Sequence, residues 1–268
     1  MMSSSLPASA CLRVDRSPQG VWTLTMSRPE AFNALSAELI TAMQQAVEAI
    51  GRDEQSRAVV LAGSGRAFCA GHDLKEMRAS PSIGYYNQLF GQCGQMMMAL
   101  QKLPVPVIAR VHGMATAAGC QLVAMCDLAV AAEEARFAVS GVRLGLFCST
   151  PSVALSRNLS RKAAFEMLVT GDFISATEAM AKGLVNRVVP LADLDAEVGQ
   201  MLDSILAKPR EALAIGKALF YRQLETGIES AHDDASHTMA CNMMEPTALE
   251  GVQAFIDKRS PTWAVGPA

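Results

Sequence analysis

Two kinds of hydrophobic spacing alternate along the chain, and together they predict its elements. Short apolar runs bounded by turn residues are typical of buried strands. They predict strands at residues 11–14, 21–26, 58–62, 128–132, 136–139 and 185–189, and one that begins at Val107. Apolar residues at helical spacing predict helices at residues 36–50, 83–100, 161–170, 176–182, 191–206, 211–225 and 230–258.

The order of these elements indicates the fold class. Strands and helices alternate up to residue 151, which predicts an α/β core whose strands are at least partly parallel. Beyond that residue the chain is mainly helical, and no repeat or linker marks a separately folding second domain. The C-terminal helices carry Met and Leu on more than one face. We therefore expect them to pack against the core or, alternatively, to form a subunit interface.

Composition and charge exclude several classes of function. Of the 268 residues, 50% are hydrophobic, which is enough to bury a sizeable core. The net charge of −3 gives no broad cationic surface, so neither nucleic acid nor a membrane is an expected partner. No run is long enough to span a bilayer, and residues 1–16 lack the charged start and apolar centre of a secretion signal.

The cysteines indicate the compartment. The chain has seven of them, an odd number, with no CxxC pair and no spacing typical of a metal site. A disulfide framework and a bound metal are therefore not expected. We predict a reducing compartment, the cytoplasm, with the mitochondrial matrix as the alternative for a eukaryotic protein.

Two loops rich in Gly and Ala each follow a predicted buried strand, at residues 67–77 and 113–121. The second loop leads into a helix, whose first N–H groups lack partners and whose dipole favours negative charge. Two N–H groups from different loops are what an enolate or a tetrahedral oxyanion needs. Small residues in such turns also serve close packing, so the spacing alone leaves both interpretations open.

Several short motifs resemble those of one known family. They are residues 33–35 (NAL), 68–74 (FCAGHDL), 106–121, the Cys126-Asp127 pair and residues 178–185. In this order they are similar to the crotonase (enoyl-CoA hydratase/isomerase) superfamily, and the resemblance extends from about residue 21 to residue 263. Within that superfamily, residues 115–124 and 145–151 look most similar to the group of enoyl-CoA hydratase domain-containing protein 3.

The resemblance implies an α/β fold built as a crotonase-like spiral of ββα units with a C-terminal helical trimerisation region. Residues 1–205 would form the core, and residues 206–268 the helical region of the same functional unit. The partner would be an acyl-CoA thioester, with no cofactor besides the coenzyme A of the substrate itself. The family usually assembles as homotrimers or as hexamers made of two trimers.

The resemblance also implies catalytic positions. Aligned motif by motif, it places the two backbone donors of the oxyanion hole at Ala70 and Ala118, and an alanine serves at position 118 if its φ is negative. The two glutamates of the hydratases fall at Gln121 and Gly141. An amide cannot take up a proton near neutral pH, and glycine has no side chain. The alignment therefore predicts against ordinary hydration.

Other reactions remain open. Some family decarboxylases, which act on malonyl-type CoA esters, look similar through residues 70–73 and need an enolate-stabilising site more than a base. A third hypothesis is a non-catalytic protein that binds acyl-CoA or a partner protein. Near the expected thioester remain His72, Asp73, Gln121, Ser140, Arg143 and Cys148. His72 could donate a proton, bind the thioester or be a plain loop residue.

Cys148 has two interpretations as well. It is a nucleophile if a base lowers its pKa, although no histidine partner stands nearby in the sequence, and otherwise it is an ordinary buried cysteine. The resemblance further implies residues that bind coenzyme A, namely Arg28, Ala70, His72, Asp73, Leu74, Phe255 and Lys258. The last two often come from a neighbouring subunit. The alternative for Lys258 is a cation that complements the end of a helix.

Overall fold

The structure is a computed structural model that describes residues 9–79 and 81–263. Its strands are β1 (Leu12–Arg16), β2 (Val21–Met26), β3 (Ala58–Gly63), β4 (Ala67–Cys69), β5 (Val107–Val111), β6 (Met114–Thr116), β7 (Leu128–Ala132), β8 (Arg136–Ala138), β9 (Ile174–Ser175) and β10 (Arg187–Val189). The helices of the core are α1 (Ala37–Arg52), α2 (Leu74–Ala79), α3 (Ile83–Lys102), α4 (Ala118–Met125), α5 (Ser149–Asn158), α6 (Arg161–Thr170), α7 (Ala176–Lys182) and α8 (Leu194–Leu206). The C-terminal helices are α9 (Arg210–Gln223), α10 (Ile228–Met243) and α11 (Pro246–Ile256).

The strands form two sheets, in the orders β1-β2-β3-β5-β7-β10 and β4-β6-β8-β9. From β3 to β8, consecutive strands alternate between the sheets, so that β3/β4, β5/β6 and β7/β8 each place one strand in either sheet. A helix follows each of these pairs, which is the spiral of ββα units that the resemblance implies. The pairs from β2 to β10 in the larger sheet are parallel, whereas β1 and β2, which match the strands predicted at residues 11–14 and 21–26, form an antiparallel hairpin.

The core lies between the larger sheet and the helices α1, α3 and α4. Five of the six residues of β3 are buried, as expected for a strand that is covered on both faces. Helix α1 begins after Ser36, whose side chain accepts a hydrogen bond from the Leu39 N–H at 3.2 Å. The buried residues of α1 repeat at helical spacing and pack inward, which confirms the helix predicted at residues 36–50.

Some elements differ from the prediction. The single helix predicted at residues 230–258 is two helices, because Pro246 has no N–H to continue α10 and instead stands in the first turn of α11. The predicted helix at 191–206 starts with a 3₁₀ turn, Leu191–Asp193. Helices α2 and α5 were not predicted. In α5 only Pro151, Ala154 and Leu155 are buried, too few to give a helical period.

The C-terminal helices are tied to the core by buried polar contacts. Lys217 of α9 donates to Asp127 Oδ2 at 2.6 Å and to the Leu100 and Val105 carbonyls. Tyr221, one turn later, donates to the other oxygen of Asp127 at 2.7 Å. Side-chain exposure is only 8% for Lys217 and 13% for Asp127. Within the described part of the chain, no helix is both long and apolar enough to cross a membrane.

Candidate active site

The two small-residue loops meet at one edge of the smaller sheet. Strands β4 and β6 are parallel neighbours, with Cys69 beside Ala115, so the chain leaves both strands at the same end. Gly71 has a φ of +91°, and a Cβ there would lie 2.9 Å from the Cβ of Ala117. A Cβ on Gly119 would lie 2.1 Å from the Cys69 carbonyl oxygen. The backbones touch here, and both glycines are required by that contact.

The first predicted donor is wrong. The Ala70 N–H already donates to the Phe32 carbonyl at 3.0 Å, so it is not free for a ligand. Leu35 binds the residues on both sides of His72: its N–H donates to the Gly71 carbonyl at 2.7 Å, and its carbonyl accepts from the Asp73 N–H at 3.1 Å. Because successive residues of an extended chain point to opposite sides, the His72 N–H points away from Leu35. It has no acceptor among the described residues.

The second predicted donor is free. Ala118 is the first residue of α4, so its N–H has no acceptor within the helix. It has a negative φ, as its role requires, whereas Ala117 before it takes φ 50° and ψ −119°. That conformation is costly for an alanine, and it is held by the Ala117 N–H donating to the Ala138 carbonyl at 2.9 Å. The positive end of the α4 dipole adds to the attraction for an anion.

His72 and Ala118 line one cavity of about 270 Å³. Its wall is largely apolar and includes Leu74, Met77, Phe90, Leu144, Leu146, Phe147 and Pro151. Its polar side chains are His72, Ser140, Cys148, Ser149 and Thr150. No Asp or Glu of the described chain lines this cavity. Of these apolar residues, Leu74 was predicted as a binding residue. The others were not, because they come from separate segments, α2, α3, residues 144–147 and the start of α5, that meet only in the folded chain.

The His72 ring is buried without a hydrogen-bond partner on either nitrogen among the described residues. It packs edge-on against Phe90, with 5.2 Å between the ring centres. Burial lowers the pKa of His72 to about 4, and the nearby Leu35 carbonyl offsets only part of this. The imidazole is therefore neutral at physiological pH and can offer one N–H and one acceptor nitrogen to a ligand.

Gln121 lies behind the cavity wall. It stands one helical turn after Ala117 and Ala118, on the same face of α4, and it is only 5% exposed. Its Oε1 is buried and has no hydrogen-bond partner among the described residues. Side chains of a helix lean toward its N-terminus, and the residues at that end of α4, Ala117 and Ala118, line the cavity.

Gly141 is closed to any side chain. A Cβ there would lie 2.5 Å from the Leu146 carbonyl oxygen and 2.7 Å from the Cys148 sulfur. The Leu146 N–H also donates to the Gly141 carbonyl at 3.0 Å, so the loop folds tightly over this residue. Position 141 is thus a packing contact in this chain.

The residues predicted to bind coenzyme A are only partly brought together. Arg28 donates to Asp73 Oδ2 at 2.9 Å and to the Ala34 carbonyl at 2.6 Å. Burial on its own would raise the pKa of Asp73, but the Arg28 bond and the N–H groups of α2 lower it below its usual value. Arg28 and Asp73 therefore hold the loop, while Ala70, His72 and Leu74 line the cavity.

Phe255 and Lys258 are not part of the cavity wall. Phe255 is 85% exposed at the end of α11, and Lys258 follows that helix with a φ of 55°. Arg143 lies outside the wall as well and pairs with Asp172. Phe255 and Lys258 cannot serve the cavity of their own chain in this arrangement.

Asn33 positions the first loop, a role that the sequence motif signalled without defining. The side chain is fully buried and donates to the Ser64, Ala67 and Phe68 carbonyls at 2.8, 2.8 and 3.2 Å. Its oxygen accepts from the Arg28 N–H at 2.9 Å. These bonds hold residues 32–35 against β4, where Phe32 and Leu35 in turn hold the loop of His72.

Comparison with known proteins identifies the family. The sequence model of the family described as enoyl-CoA hydratase/isomerase matches residues 16–265. The chain belongs to this family. The motif resemblance is therefore confirmed, as is the crotonase-like fold. Enzymes of this family need no cofactor, and the described residues hold no group of three His, Cys, Asp or Glu side chains suited to a metal ion.

Its similar relatives cover nearly the whole chain. The rat protein named enoyl-CoA hydratase domain-containing protein 3, mitochondrial, is 41% identical over 93% of this chain and 83% of its own length. The crystal structure of its human counterpart is 40% identical with a TM-score of 0.91, covering 94% of this chain and all of that one. A crystal structure of an enoyl-CoA hydratase from Mycobacterium smegmatis is 65% identical with a TM-score of 0.94, covering 95% and 99% of the two chains.

Proposed function

We propose that the cavity binds an acyl-CoA thioester and stabilises its enolate. The thioester oxygen accepts hydrogen bonds from the N–H groups of His72 and Ala118. The observation that carries the proposal is that His72 and Ala118, whose N–H groups are free, come from different loops and line the same cavity. The Ala118 assignment keeps the original prediction, and His72 replaces Ala70.

The two donors supply a large part of the catalysis. Each donor of an oxyanion hole contributes a factor of roughly 10²–10³ in rate. The apolar wall strengthens both, because hydrogen bonds to a developing charge gain energy where water is excluded. No side-chain charge is needed for this step.

Proton transfer in this site differs from that of a glutamate-based hydratase. The positions that the family resemblance assigns to the two glutamates hold Gln121 and Gly141. No carboxylate of the described chain replaces them on the cavity wall. We therefore expect poor hydration of enoyl-CoA esters, with His72 and Gln121 orienting water or substrate by hydrogen bonds.

Decarboxylation of a malonyl-type CoA ester is the second candidate, and the apolar, carboxylate-free wall favours it. A substrate carboxylate that enters such a cavity loses its hydration, whereas the CO₂ that leaves is neutral. The enolate left behind is held by the same two N–H groups. This reaction needs no protein base.

The C-terminal region has two proposed roles, assembly of the protein and binding of the nucleotide part of coenzyme A. We propose that residues 206–268 belong to the same functional unit as the core and form homotrimers or hexamers. Large apolar side chains that are exposed in the single chain support this: Phe220, Leu224, Ile228, Met239, Met243, Met244, Leu249, Val252, Phe255 and Ile256. Phe255 and Lys258 would then contact the nucleotide bound by a neighbouring subunit.

The compartment is proposed on the cysteines. All seven are free, which fits a reducing compartment, and we expect the cytoplasm. The mitochondrial matrix is the alternative, since the rat and human relatives are named as mitochondrial.

A single experiment distinguishes the reactions. The protein is incubated with a panel of enoyl-, acyl- and malonyl-type CoA esters, and every species is followed by mass spectrometry. Gain of water indicates hydration, loss of CO₂ indicates decarboxylation, and binding without turnover indicates a non-catalytic role. If none of the esters binds in calorimetry, the proposed function is wrong.

A matched pair of backbone ester variants tests the oxyanion hole. Replacing Ala118 by its α-hydroxy acid analogue removes one N–H at the first position of α4 and leaves the conformation of Ala117 unrestricted. Replacing Arg161 by its α-hydroxy acid analogue makes the same change at the first position of α6, outside the cavity. We expect turnover to fall roughly 10²–10³-fold in the first variant and to stay unchanged in the second. Equal turnover in both would contradict the role of Ala118.

A further inference from the structure

Cys148 stands where a side chain of residue 141 would otherwise be. Its sulfur lies 2.7 Å from the point that a Cβ on Gly141 would occupy, and it lines the same cavity as His72 and Ala118. The residue is 7% exposed and its thiol is free. The histidine that the local sequence lacked is therefore present on the same cavity wall, brought there by the fold.

The Cys148 thiol keeps its proton at neutral pH. Burial raises its pKa, and a hydrogen bond with the Gly141 backbone offsets this only in part. A thiol in this state is a poor nucleophile, because the thiolate is the attacking species. It is still a competent acid toward a carbanion, since the α-carbon of a thioester enolate is far more basic than a thiolate.

The other groups on the wall are weaker sources of a proton. His72, with its pKa lowered to about 4, has already lost its acidic proton at pH 7. Ser140, Ser149 and Thr150 carry hydroxyls, which are much weaker acids than a thiol, and the described wall holds no carboxyl group. The S–H of Cys148 is thus the most acidic proton on the cavity wall.

Gln121 is a second, independent sign that a polar ligand belongs in this place. Only 5% of its surface is exposed, and its Oε1 has no hydrogen-bond partner in the described chain. A buried amide oxygen without a donor is costly unless a ligand or a water molecule supplies one. Gln121 stands one helical turn after Ala118, which lines the cavity from the α4 side, whereas Cys148 lines it from the start of α5.

We propose that Cys148 is the catalytic acid that protonates the α-carbon of the enolate. This inference rests on the proposed function, because it requires an enolate in the cavity. In the step, the S–H bond breaks and its proton forms a new C–H bond at the α-carbon. The electron pair comes from the enolate double bond, the thioester carbonyl is restored, and the thiolate recovers a proton from water. In the reverse direction, the same steps remove the α-proton of a bound acyl-CoA, so that repeated cycles exchange this proton with solvent.

Deuterium exchange tests this role without assuming a particular overall reaction. The whole protein is incubated in D₂O with saturated acyl-CoA esters, and deuterium at the α-carbon is followed by mass spectrometry and NMR. We compare wild type with Cys148→Ser and Cys148→Ala. Cys93→Ser is the matched control, because Cys93 is equally buried, at 3% exposure, but does not line the cavity.

We expect both Cys148 variants to bind acyl-CoA with unchanged affinity and to exchange the α-proton at least about 100-fold more slowly. The Cys93 variant exchanges like wild type. The wild-type rate should also rise with pH between 7 and 9, since exchange starts from the thiolate. The titratable groups that face the thiol, His72 and Cys120, stay neutral over this range, because burial lowers the pKa of the first to about 4 and raises that of the second to about 12.

The possible results are separable. If wild type binds no acyl-CoA, the proposed function fails together with the inference. If wild type binds and exchanges but Cys148→Ser exchanges equally fast, only the inference is overturned. Binding without any exchange by wild type overturns the role of Cys148, while enolate formation by loss of CO₂ is tested separately with the malonyl-type esters of the panel. If both Cys148 variants exchange the α-proton more slowly and also lose the rise in rate between pH 7 and 9, the inference is supported. A purely structural effect would slow the exchange without removing this pH dependence.

Discussion

Gly71→Ala should damage the oxyanion hole while leaving the fold intact. Gly71 lies where the loop of His72 crosses the start of α4. The added Cβ would lie 2.9 Å from the Ala117 Cβ, 3.0 Å from the Thr116 carbonyl oxygen and 3.2 Å from the Ala118 nitrogen. Carbon atoms pack at ~3.5–4.0 Å. The two loops must therefore move apart by roughly 0.6 Å or more, and the two donor N–H groups lie on these loops.

The sizes of both effects follow from this geometry. Alanine at φ +91° costs about 1–2 kcal/mol of stability, because its Cβ crowds the following carbonyl. A misplacement of ~1 Å at a catalytic group costs about 100-fold in rate. For a shift slightly smaller than this we expect turnover, or α-proton exchange, to fall roughly 10–100-fold.

Gly183→Ala is the control that separates the backbone strain of an alanine at positive φ from the displacement of the two loops. Gly183 ends α7 with the same φ of +91°, and its added Cβ would meet only the Asn158 carbonyl oxygen, at 3.2 Å. Both variants are compared by urea unfolding and by the acyl-CoA panel. We expect similar losses of stability, with a loss of turnover in the Gly71 variant alone. If Gly71→Ala turns over like wild type, the assignment of the hole to these two loops is refuted.

Three further perturbations test the buried Lys217–Asp127 ion pair, the buried His72 and the loop that Asn33 holds. Lys217→Met should lower the free energy of unfolding by about 3–5 kcal/mol in urea, because it leaves the buried Asp127 carboxylate without its cation. The control Arg222→Met, which removes a more exposed ion pair, should lower it by no more than about 1 kcal/mol. Lowering the pH from 7 toward 4 should lower the free energy of unfolding by up to about 3 kcal/mol through His72, since the unfolded chain protonates near 6.5 and the folded one near 4; His72→Gln should lack this part of the slope. Asn33→Ala should cost about 3 kcal/mol in urea and slow turnover, since three carbonyls lose their donor, whereas loss of stability alone would argue against a positioning role.

The larger sheet and most of the core could be predicted from the sequence, because their periods are long enough to be visible. Strand β3 is a continuous apolar run, and α1 combines a Ser36 cap with a buried face. Of the smaller sheet, only β8 was predicted, within the strand at residues 136–139. Strands β4 and β6 have only three residues each, too few to show a period, and they exist because they pair with each other.

The proposed site differs from the sequence prediction in one loop, and the difference has a physical cause. The start of α4 was found because an unpaired N–H is a general property of a helix start. In the other loop, Ala70 and His72 are equally plausible donors from the local sequence. The choice depends on Phe32 and Leu35, which accept the N–H groups of Ala70 and Asp73. That pairing joins segments more than thirty residues apart, so the loop alone does not contain it.

The two candidate reactions differ in whether a new negative charge must be created in the cavity. Removing an α-proton requires a base. At neutral pH burial keeps Cys148 as a thiol, and the basic side chain left on the described wall is His72, whose pKa is lowered to about 4. Compared with a base of pKa 7, it is weaker by three units, which costs about 4 kcal/mol, or a factor of roughly 10³ in rate if the whole difference appears in the barrier. Decarboxylation avoids this cost, because a malonyl-type substrate brings its own negative charge, and that charge only moves from the carboxylate to the enolate oxygen. A cavity with two N–H donors and no carboxylate therefore favours reactions that relocate a charge over reactions that must create one.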